Sequence, residues 1–264
     1  MTVHRPVVVV PTYDEADNIV TLLDRVRSAA PGADVLVVDD ASPDGTGTLV
    51  LAYAEHDPSV HLLAGSAKGG LGGAYRRGFA WALERHYDAV VQIDADLSHP
   101  PERVPALLAA LDLADVAVGS RYVAGGDVSG WTWTRRLVSW TGNVYARRVL
   151  GLAVHDVTAG FKAFTTPALG ACGALGSISD GYCFQIENTW RASRLGLRIV
   201  EVPITFTDRT EGSSKMSRAI AAEAMWRVLG WRVSELCAFL TGGMAGRPAA
   251  GVATPGRRRS DVAA

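Results

Sequence analysis

Apolar and polar positions along the 264-residue chain follow two alternating periods. Val7–Val10, Val35–Val38, Val60–Leu63, Val90–Ile93 and Val116–Val118 are short, mostly β-branched runs. That is the pattern of strands covered on both faces of a parallel sheet. Between them the spacing turns helical. Ile19, Leu22, Leu23 and Val26 follow the turn Pro11-Thr12-Tyr13-Asp14-Glu15, with Asp17 or Asn18 expected as the cap and Pro31-Gly32 as the stop. Further helices are expected up to about His56, from the glycine-rich stretch after Lys68 through Leu83, and from about Glu102 to Leu111. Strands alternating with helices at this interval predict an α/β protein with a doubly wound, mostly parallel sheet.

The second half changes character. Between Trp131 and Leu150, tryptophans and arginines interleave on an apolar background, a mixture suited to the headgroup level of a membrane or to core tryptophans beside exposed arginines. Asp156 to Phe164 reads as a compact turn leading into a short strand, and a helix from about Tyr182 to Leu195 ends at Gly196. An extended segment, 199–206, is broken by Pro203. Ser217–Leu240 has helical spacing with arginines among its apolar positions, predicting a C-terminal amphipathic helix that packs on the domain or lies on a membrane. The chain therefore divides into one domain, 1–241, and a tail, 242–264, expected to be disordered and basic because Gly, Ala and Pro dominate it and it has four Arg against one Asp.

Composition narrows the function. A net charge of −1 leaves no global basic field for nucleic acid. Three irregularly spaced cysteines make neither a disulfide framework nor a zinc site, which fits a reducing cytosol. No secretion signal is visible at the N-terminus, and the longest uncharged run, Ala163–Ser179, is interrupted by Pro and Gly and falls short of a spanning helix.

The chemistry collects where strands end. Asp94 and Asp96 follow the Val90–Ile93 run at alternating positions, so in an extended segment both carboxylates point one way and can meet on a hard cation. In open α/β sheets that edge is where ligands bind. The turn Asp39-Asp40-Ala41-Ser42-Pro43-Asp44-Gly45-Thr46 offers carboxylates to a nucleoside, or is a turn built on Asx chemistry. Lys68-Gly69-Gly70-Leu71-Gly72-Gly73 lacks dinucleotide-binding spacing and follows the third strand, so it argues against an NAD site. Arg209 and Lys215, across a Gly-Ser turn, could fold over an anionic ligand.

Seven motifs together resemble the family 2 glycosyltransferases of GT-A fold, specifically the dolichol- and polyprenol-phosphate mannosyltransferases. They are Pro11-Thr-Tyr-Asp-Glu15, Val38-Asp-Asp-Ala-Ser42-Pro-Asp-Gly-Thr46, Gly70-Leu-Gly-Gly-Ala-Tyr75, Asp94-Ala-Asp-Leu-Ser-His-Pro100, Gly119-Ser-Arg-Tyr122, Gly160-Phe-Lys162 and Glu201-Val-Pro-Ile204. The resemblance implies that Pro11, Tyr13, Glu15, Val38 and Asp40 hold the guanosine of GDP-mannose. It implies further that Asp94, Ala95 and Asp96 take the diphosphate through Mg²⁺ or Mn²⁺, with Arg209 and Lys215 closing on the phosphates. Arg121, Arg135 and Ser139 fall where the family binds the lipid phosphate, and Ser98 stands where some members have Gln.

That resemblance carries an expected reaction: inverting transfer of mannose to polyprenyl phosphate, with Asp94, Asp96 and Arg121 as the catalytic set. A phosphate monoester is already largely ionised near neutrality, its second pKa being about 6, so no general base is required. The Gln-x-x-Arg-Trp motif of saccharide-acceptor relatives is missing from the chain. Rival readings are a relative using UDP-glucose or a saccharide acceptor, and a non-catalytic nucleotide-sugar-binding subunit. Peripheral attachment to the cytoplasmic face of a membrane is expected, directly or through a separate membrane protein.

Overall fold

The computed structural model describes residues 3–177, 179, 181–208 and 218–240. The predicted tail, 242–264, and both Arg209 and Lys215 lie outside the described residues. Strands β1 (Pro6–Thr12), β2 (Asp34–Asp39), β3 (Val60–Ala64), β4 (Ala89–Gln92) and β5 (Val116–Ser120) extend the five predicted runs by a residue or two or trim them. With β7 (Lys162–Thr165) and β8 (Ile199–Pro203) they form one sheet in the order β3-β2-β1-β4-β7-β5-β8. A small parallel ribbon, β6 (Asp127–Ser129) with β9 (Thr205–Thr207), stands beside it.

Strand β7 runs antiparallel to both neighbours, against the otherwise parallel sheet. Its direction follows from the path of the chain. After β5 ends at Ser120 the chain stays on the carboxyl edge through β6 and helix α5 (Trp133–Leu150), so the next strand starts from that edge and runs back.

Alternation within the strands divides the core. Val7, Val9, Leu36 and Val38 pack on one side with Tyr75 and Phe79 of α3 (Leu71–Glu84) and with Phe184 of α7 (Gly181–Arg194). Val8, Val10, Val35 and Val37 face α1 (Ala16–Ala29), through Ile19, Leu22, Leu23 and Val26, and α4 (Val104–Ala110), through Val104 and Leu107. Neither Asp17 nor Asn18 caps α1. Glu15 takes the cap position, and the first helical NH, that of Ala16, donates to Asp44 Oδ2 at 2.9 Å from the loop after β2. Helix α2 (Thr46–Ala54) follows that loop, and α6 (Thr166–Ala171) follows β7.

The final helix, α8 (Arg218–Leu240), does not segregate its apolar residues into one inward stripe. Val228 is buried and Trp231 stacks on Trp190 at 5.5 Å, yet Met225, Trp226, Leu229, Val233, Leu236 and Phe239 are exposed. On α5, Trp133 and Trp140 are exposed too, which removes the alternative of core tryptophans there.

Helix α3 lies so close to β1 that a Cβ at Gly78 would stand 2.4 Å from Val9 Cγ1. Gly78→Ala must push the helix off the strand. We expect a destabilisation of about 1–3 kcal/mol, read as a lowered urea midpoint with unchanged slope.

Candidate active site

Loops from the carboxyl edge of β1, β2, β4 and β5 meet over the sheet, and strained backbone marks three of them. Asp14, Ala41 and Leu97 adopt positive φ of 58°, 57° and 59° without being glycine, conformations that persist only where surrounding contacts impose them.

The first two loops are knitted together. Asp14 NH donates to Ser42 Oγ at 3.1 Å and Glu15 NH to Thr46 Oγ1 at 3.1 Å. Asp39 accepts from Thr12 Oγ1 at 2.8 Å and from Ser42 NH at 3.0 Å. Burial pushes the Asp44 carboxyl up, but hydrogen bonds from the Thr46 hydroxyl and from the NH groups of Ala16 and Thr46 hold it below its ordinary value. Much of the acidic turn is thus loop-building Asx chemistry. Asp40 is buried and held by Arg77 Nη2 at 2.6 Å and Gly69 NH at 2.8 Å, fastening the glycine-rich loop to the loop after β2. Tyr13 is half-buried and faces that loop, with Lys68 Nζ 3.6 Å from its ring centre. Pro11 and Val38 are buried within β1 and β2, Val38 in the core, so they shape the floor.

Asp94 and Asp96 do not sit on a strand. Strand β4 ends at Gln92 and the carboxylates occupy the turn that follows, so that turn and its contacts orient them, not strand alternation. Asp94 Oδ1 accepts from Tyr75 OH at 2.9 Å, and Asp94 Oδ2 lies 3.9 Å from His99 Nδ1. Asp96 is buried with Ala95, and its Oδ1 accepts from Ser98 NH at 3.0 Å. Burial, then the Asp94 charge, raises the Tyr75 hydroxyl well above its ordinary value, while burial pulls the His99 imidazole down. Both rings are therefore neutral near pH 7.

Ser98 Oγ and His99 Nδ1 are buried without a hydrogen-bond partner beside these carboxylates. The donor set is hard oxygen, which fits Mg²⁺ or Mn²⁺ held by one or two carboxylates and completed by water and phosphates. No cluster of three or more His, Cys, Asp or Glu among the described residues could hold a metal on protein ligands alone.

The cationic half stands next door. Arg121 is nearly buried and grips Asp156 through Nε and Nη2, both at 2.7 Å, with a further bond to Thr158 Oγ1 at 2.8 Å. Burial pushes Asp156 upward, and the Arg121 guanidinium outweighs this and holds it below the ordinary carboxylate range. Arg135 pairs with Asp208 at 2.7 Å. Arg121 and Arg135 converge on Trp131, 5.7 and 4.4 Å from its ring centre. Ser139 Oγ accepts from Tyr122 OH at 2.8 Å, and Arg121 lies 5.2 Å from that tyrosine ring. The three predicted lipid-phosphate residues therefore share one patch. His99 joins the two halves, lying against Asp94 and packing edge-on to Phe206 at 5.1 Å, which Arg121 also faces at 5.5 Å. His99, Trp131, Asp156 and Phe206 were not singled out by sequence reasoning. His99 lay in plain view within the Asp94–Pro100 motif, whereas Asp156 is 35 residues from its partner and carried no local signal. A groove of about 440 Å³ opens from Arg121 and Tyr122 between Val128, Trp133, Leu137 and Trp140, with Arg136 and Asp127 at its rim.

The mostly parallel sheet, with its acidic turn and cationic patch gathered at the carboxyl edge, is a fold of GT-A glycosyltransferase type. Residues 7–172 match the model described as Glycosyl transferase family 2, and the chain belongs to that family. It is 50% identical over 227 residues to an undecaprenyl-phosphate mannosyltransferase of Micrococcus luteus, covering 86% of this chain and 93% of the relative. It is 48% identical over 232 residues to a polyprenol monophosphomannose synthase of Mycolicibacterium smegmatis, covering 87% and 88%. A mannosyltransferase from Pyrobaculum calidifontis, solved in complex with GDP-Man and Mn²⁺, shares the fold at a TM-score of 0.53 and 18% identity, covering 90% of this chain and 76% of that one.

Removing one member of a buried ion pair strands the other. Asp156→Ala is expected to cost about 3–5 kcal/mol in chemical denaturation. Because Asp156 titrates lower folded than unfolded, its contribution is complete above the ordinary carboxylate value of about 3.9 and is lost as pH falls further. Thermal melts of the wild type should decline steeply below about pH 4, and those of Asp156→Ala less steeply.

Proposed function

We propose that this protein transfers mannose from GDP-mannose to a polyprenyl phosphate with inversion at the anomeric carbon, giving a β-linked polyprenyl-phosphate mannose. One observation carries the reading: the Asp94–Asp96 turn and the Arg121–Arg135 patch adjoin through His99 and the Phe206 ring that it packs against. A donor diphosphate on one side and an acceptor phosphate on the other would meet with the sugar between them. Asp94 and Asp96 are the residues that would hold Mg²⁺ or Mn²⁺, which when bound supplies positive charge to the departing diphosphate. Pro11, Tyr13, Glu15, Val38 and Asp40 would seat the guanosine, and Arg209 and Lys215 would close on its phosphates.

On the acceptor side Arg121, Arg135 and Ser139 would place the lipid phosphate, and the Asp156 and Asp208 carboxylates fix both guanidinia before it arrives. Donors held in place beforehand need no reorganisation as charge develops. An ionised phosphate attacks without surrendering a proton, so the neutral Tyr75 and His99 serve as props, not as acid or base. The similarity to polyprenol-phosphate mannosyltransferases over nearly the whole length of two relatives supports the substrate pair.

Radiolabelled transfer to polyprenyl phosphate from GDP-mannose, with UDP-glucose as competitor donor, tests this directly. Label should reach the lipid from GDP-mannose only, and NMR of the product should show a β-anomer. An α-linked product or preferential use of UDP-glucose would overturn the assignment. Asp96→Ala should lower kcat by at least about 10²-fold, and full turnover by that variant would remove Asp96 from the catalytic set; no transfer by the wild type from either donor would point to a non-catalytic subunit.

The same reading places the protein peripherally on the cytoplasmic face of a membrane. No helix among the described residues is long and apolar enough to cross one. Helices α5 and α8 meet through Tyr145 OH and the Met225 carbonyl at 3.0 Å, and expose Trp133 (74%), Trp140 (52%), Trp226 (72%) and Phe239 (71%). Interfacial tryptophans with nearby arginines suit anionic headgroups. The protein should float with anionic liposomes, and Trp133→Ser with Trp226→Ser should leave most of it unbound. Flotation that requires added membrane extract would point instead to a separate membrane protein.

A further inference from the structure

Within the motif Gly160-Phe161-Lys162 the reaction above leaves the lysine without a task. Its side chain is wholly buried on β7, where Nζ donates to the Gln185 carbonyl at 2.7 Å and approaches Gln185 Oε1 at 3.3 Å. Burial pulls this ammonium down to about 7, with the Asp156 carboxylate and the Cys172 thiol acting in the other direction. Filling the same space with an apolar side chain would avoid that desolvation, so packing alone does not account for a lysine.

Two routes lead from Lys162 to the donor carboxylate. Gln185 Oε1, the atom Lys162 approaches, also accepts from Gln92 Nε2 at 2.5 Å, and the same Nε2 donates to the Gly160 carbonyl at 2.8 Å. Gly160 presses on Asp94 so closely that a Cβ there would lie 2.9 Å from Oδ2. Along α7, Gln185 follows Phe184, whose ring stacks on Tyr75 at 5.7 Å with a 3° tilt, and Tyr75 OH holds Asp94 Oδ1. One route thus ends on each oxygen of Asp94. The amide layer beside Lys162 is polar, with Gln92 Oε1 and Gln185 Nε2 buried and making no hydrogen bond to protein.

We propose that Lys162 is a positioning residue for the donor site: by fastening Gln185 beneath the sheet edge it fixes Gln92, Gly160 and Tyr75, and through them the direction in which the Asp94 carboxylate faces a nucleotide diphosphate. This rests on the assignment of Asp94 to the donor phosphates. The lysine acts from below, touching neither substrate nor metal ligand.

Lys162→Met preserves length and removes the donors. Its melting temperature, its affinity for Mn²⁺ with GDP by calorimetry in the absence of turnover, and its kcat and KM are to be measured together. Relief of a buried charge should keep the melting temperature at or above that of the wild type, while affinity for Mn²⁺ with GDP falls at least about tenfold, as for other outer residues that orient metal ligands. Gln92→Leu cuts the same linkage with Lys162 in place and should show the same loss. A folded Lys162→Met with wild-type affinity overturns the proposal, as does a lowered melting temperature with affinity intact. Should Lys162→Met fail to fold, wild-type affinity in Gln92→Leu overturns it equally. A wild type that binds Mn²⁺ with UDP and not with GDP would sink the donor assignment alone, and the positioning claim would then be read on UDP.

Discussion

The spacing between strands β4 and β5 is the constraint on which the site depends. Strand β4 delivers the acidic turn, β5 delivers Arg121, and β7 is inserted between them. Two strand spacings separate the outer pair of backbones by about 10 Å, room for a ligand between the acidic turn and the arginine patch. Because β7 runs backward, its first residues rise at the same edge, and Gly160 comes to rest against Asp94. A parallel strand in that position would have brought its last residues to the site instead. The reversed strand therefore sets the separation of the two halves and also buttresses one of them.

Charge is organised in pairs on this scaffold. Arg77 faces Asp40, Arg121 faces Asp156, and Arg135 faces Asp208. Each pairing lowers the field that its arginine presents, so the site attracts phosphate less strongly than bare guanidinia would. In return the side chains are held where they are needed, and Arg121 can stay almost buried without an uncompensated charge. Such an arrangement suits a site that must bind an anionic donor, accept an anionic nucleophile and release two anionic products. Overly strong cations would hold the leaving nucleotide.

Much of the sheet was legible because runs such as Val7–Val10 and Val35–Val38 are buried on both faces and carry no polar interruption. The helix after β1 was equally plain from Ile19, Leu22, Leu23 and Val26, but its cap was misplaced because Asp44 reaches it from another loop. Periodicity has no sign, so the direction of β7 could not be read from Lys162–Thr165 and emerged only from the path of α5. The residues proposed for donor and acceptor came from motifs, while their neighbours in space carried no such signal. Asp208 lies 73 residues from Arg135, and Gln185 lies 93 from Gln92, separations at which a single sequence holds no pairing information. The physical cause first assigned to the Asp94 and Asp96 pair was also wrong: a turn aims them, with Leu97 at positive φ, instead of a strand's alternation.

Helix α5 joins the chemistry to the surface on which the acceptor would reside. Residues 143, 146 and 150 are buried, anchoring its second half to the domain, and Asn143 ties it to Val157 and Thr158 beside the Arg121 partner. In its first half Arg135 and Ser139 attend the aromatic patch, while Trp133, Leu137 and Trp140 line the groove that starts at Arg121. An interfacial helix sinks its apolar side about 5–10 Å into the headgroup boundary. On the proposed membrane-surface reading, the guanidinia would meet the lipid phosphate while its chain followed the apolar wall of the groove. Anchoring and acceptor capture would then need no separate devices, because one helix would serve both.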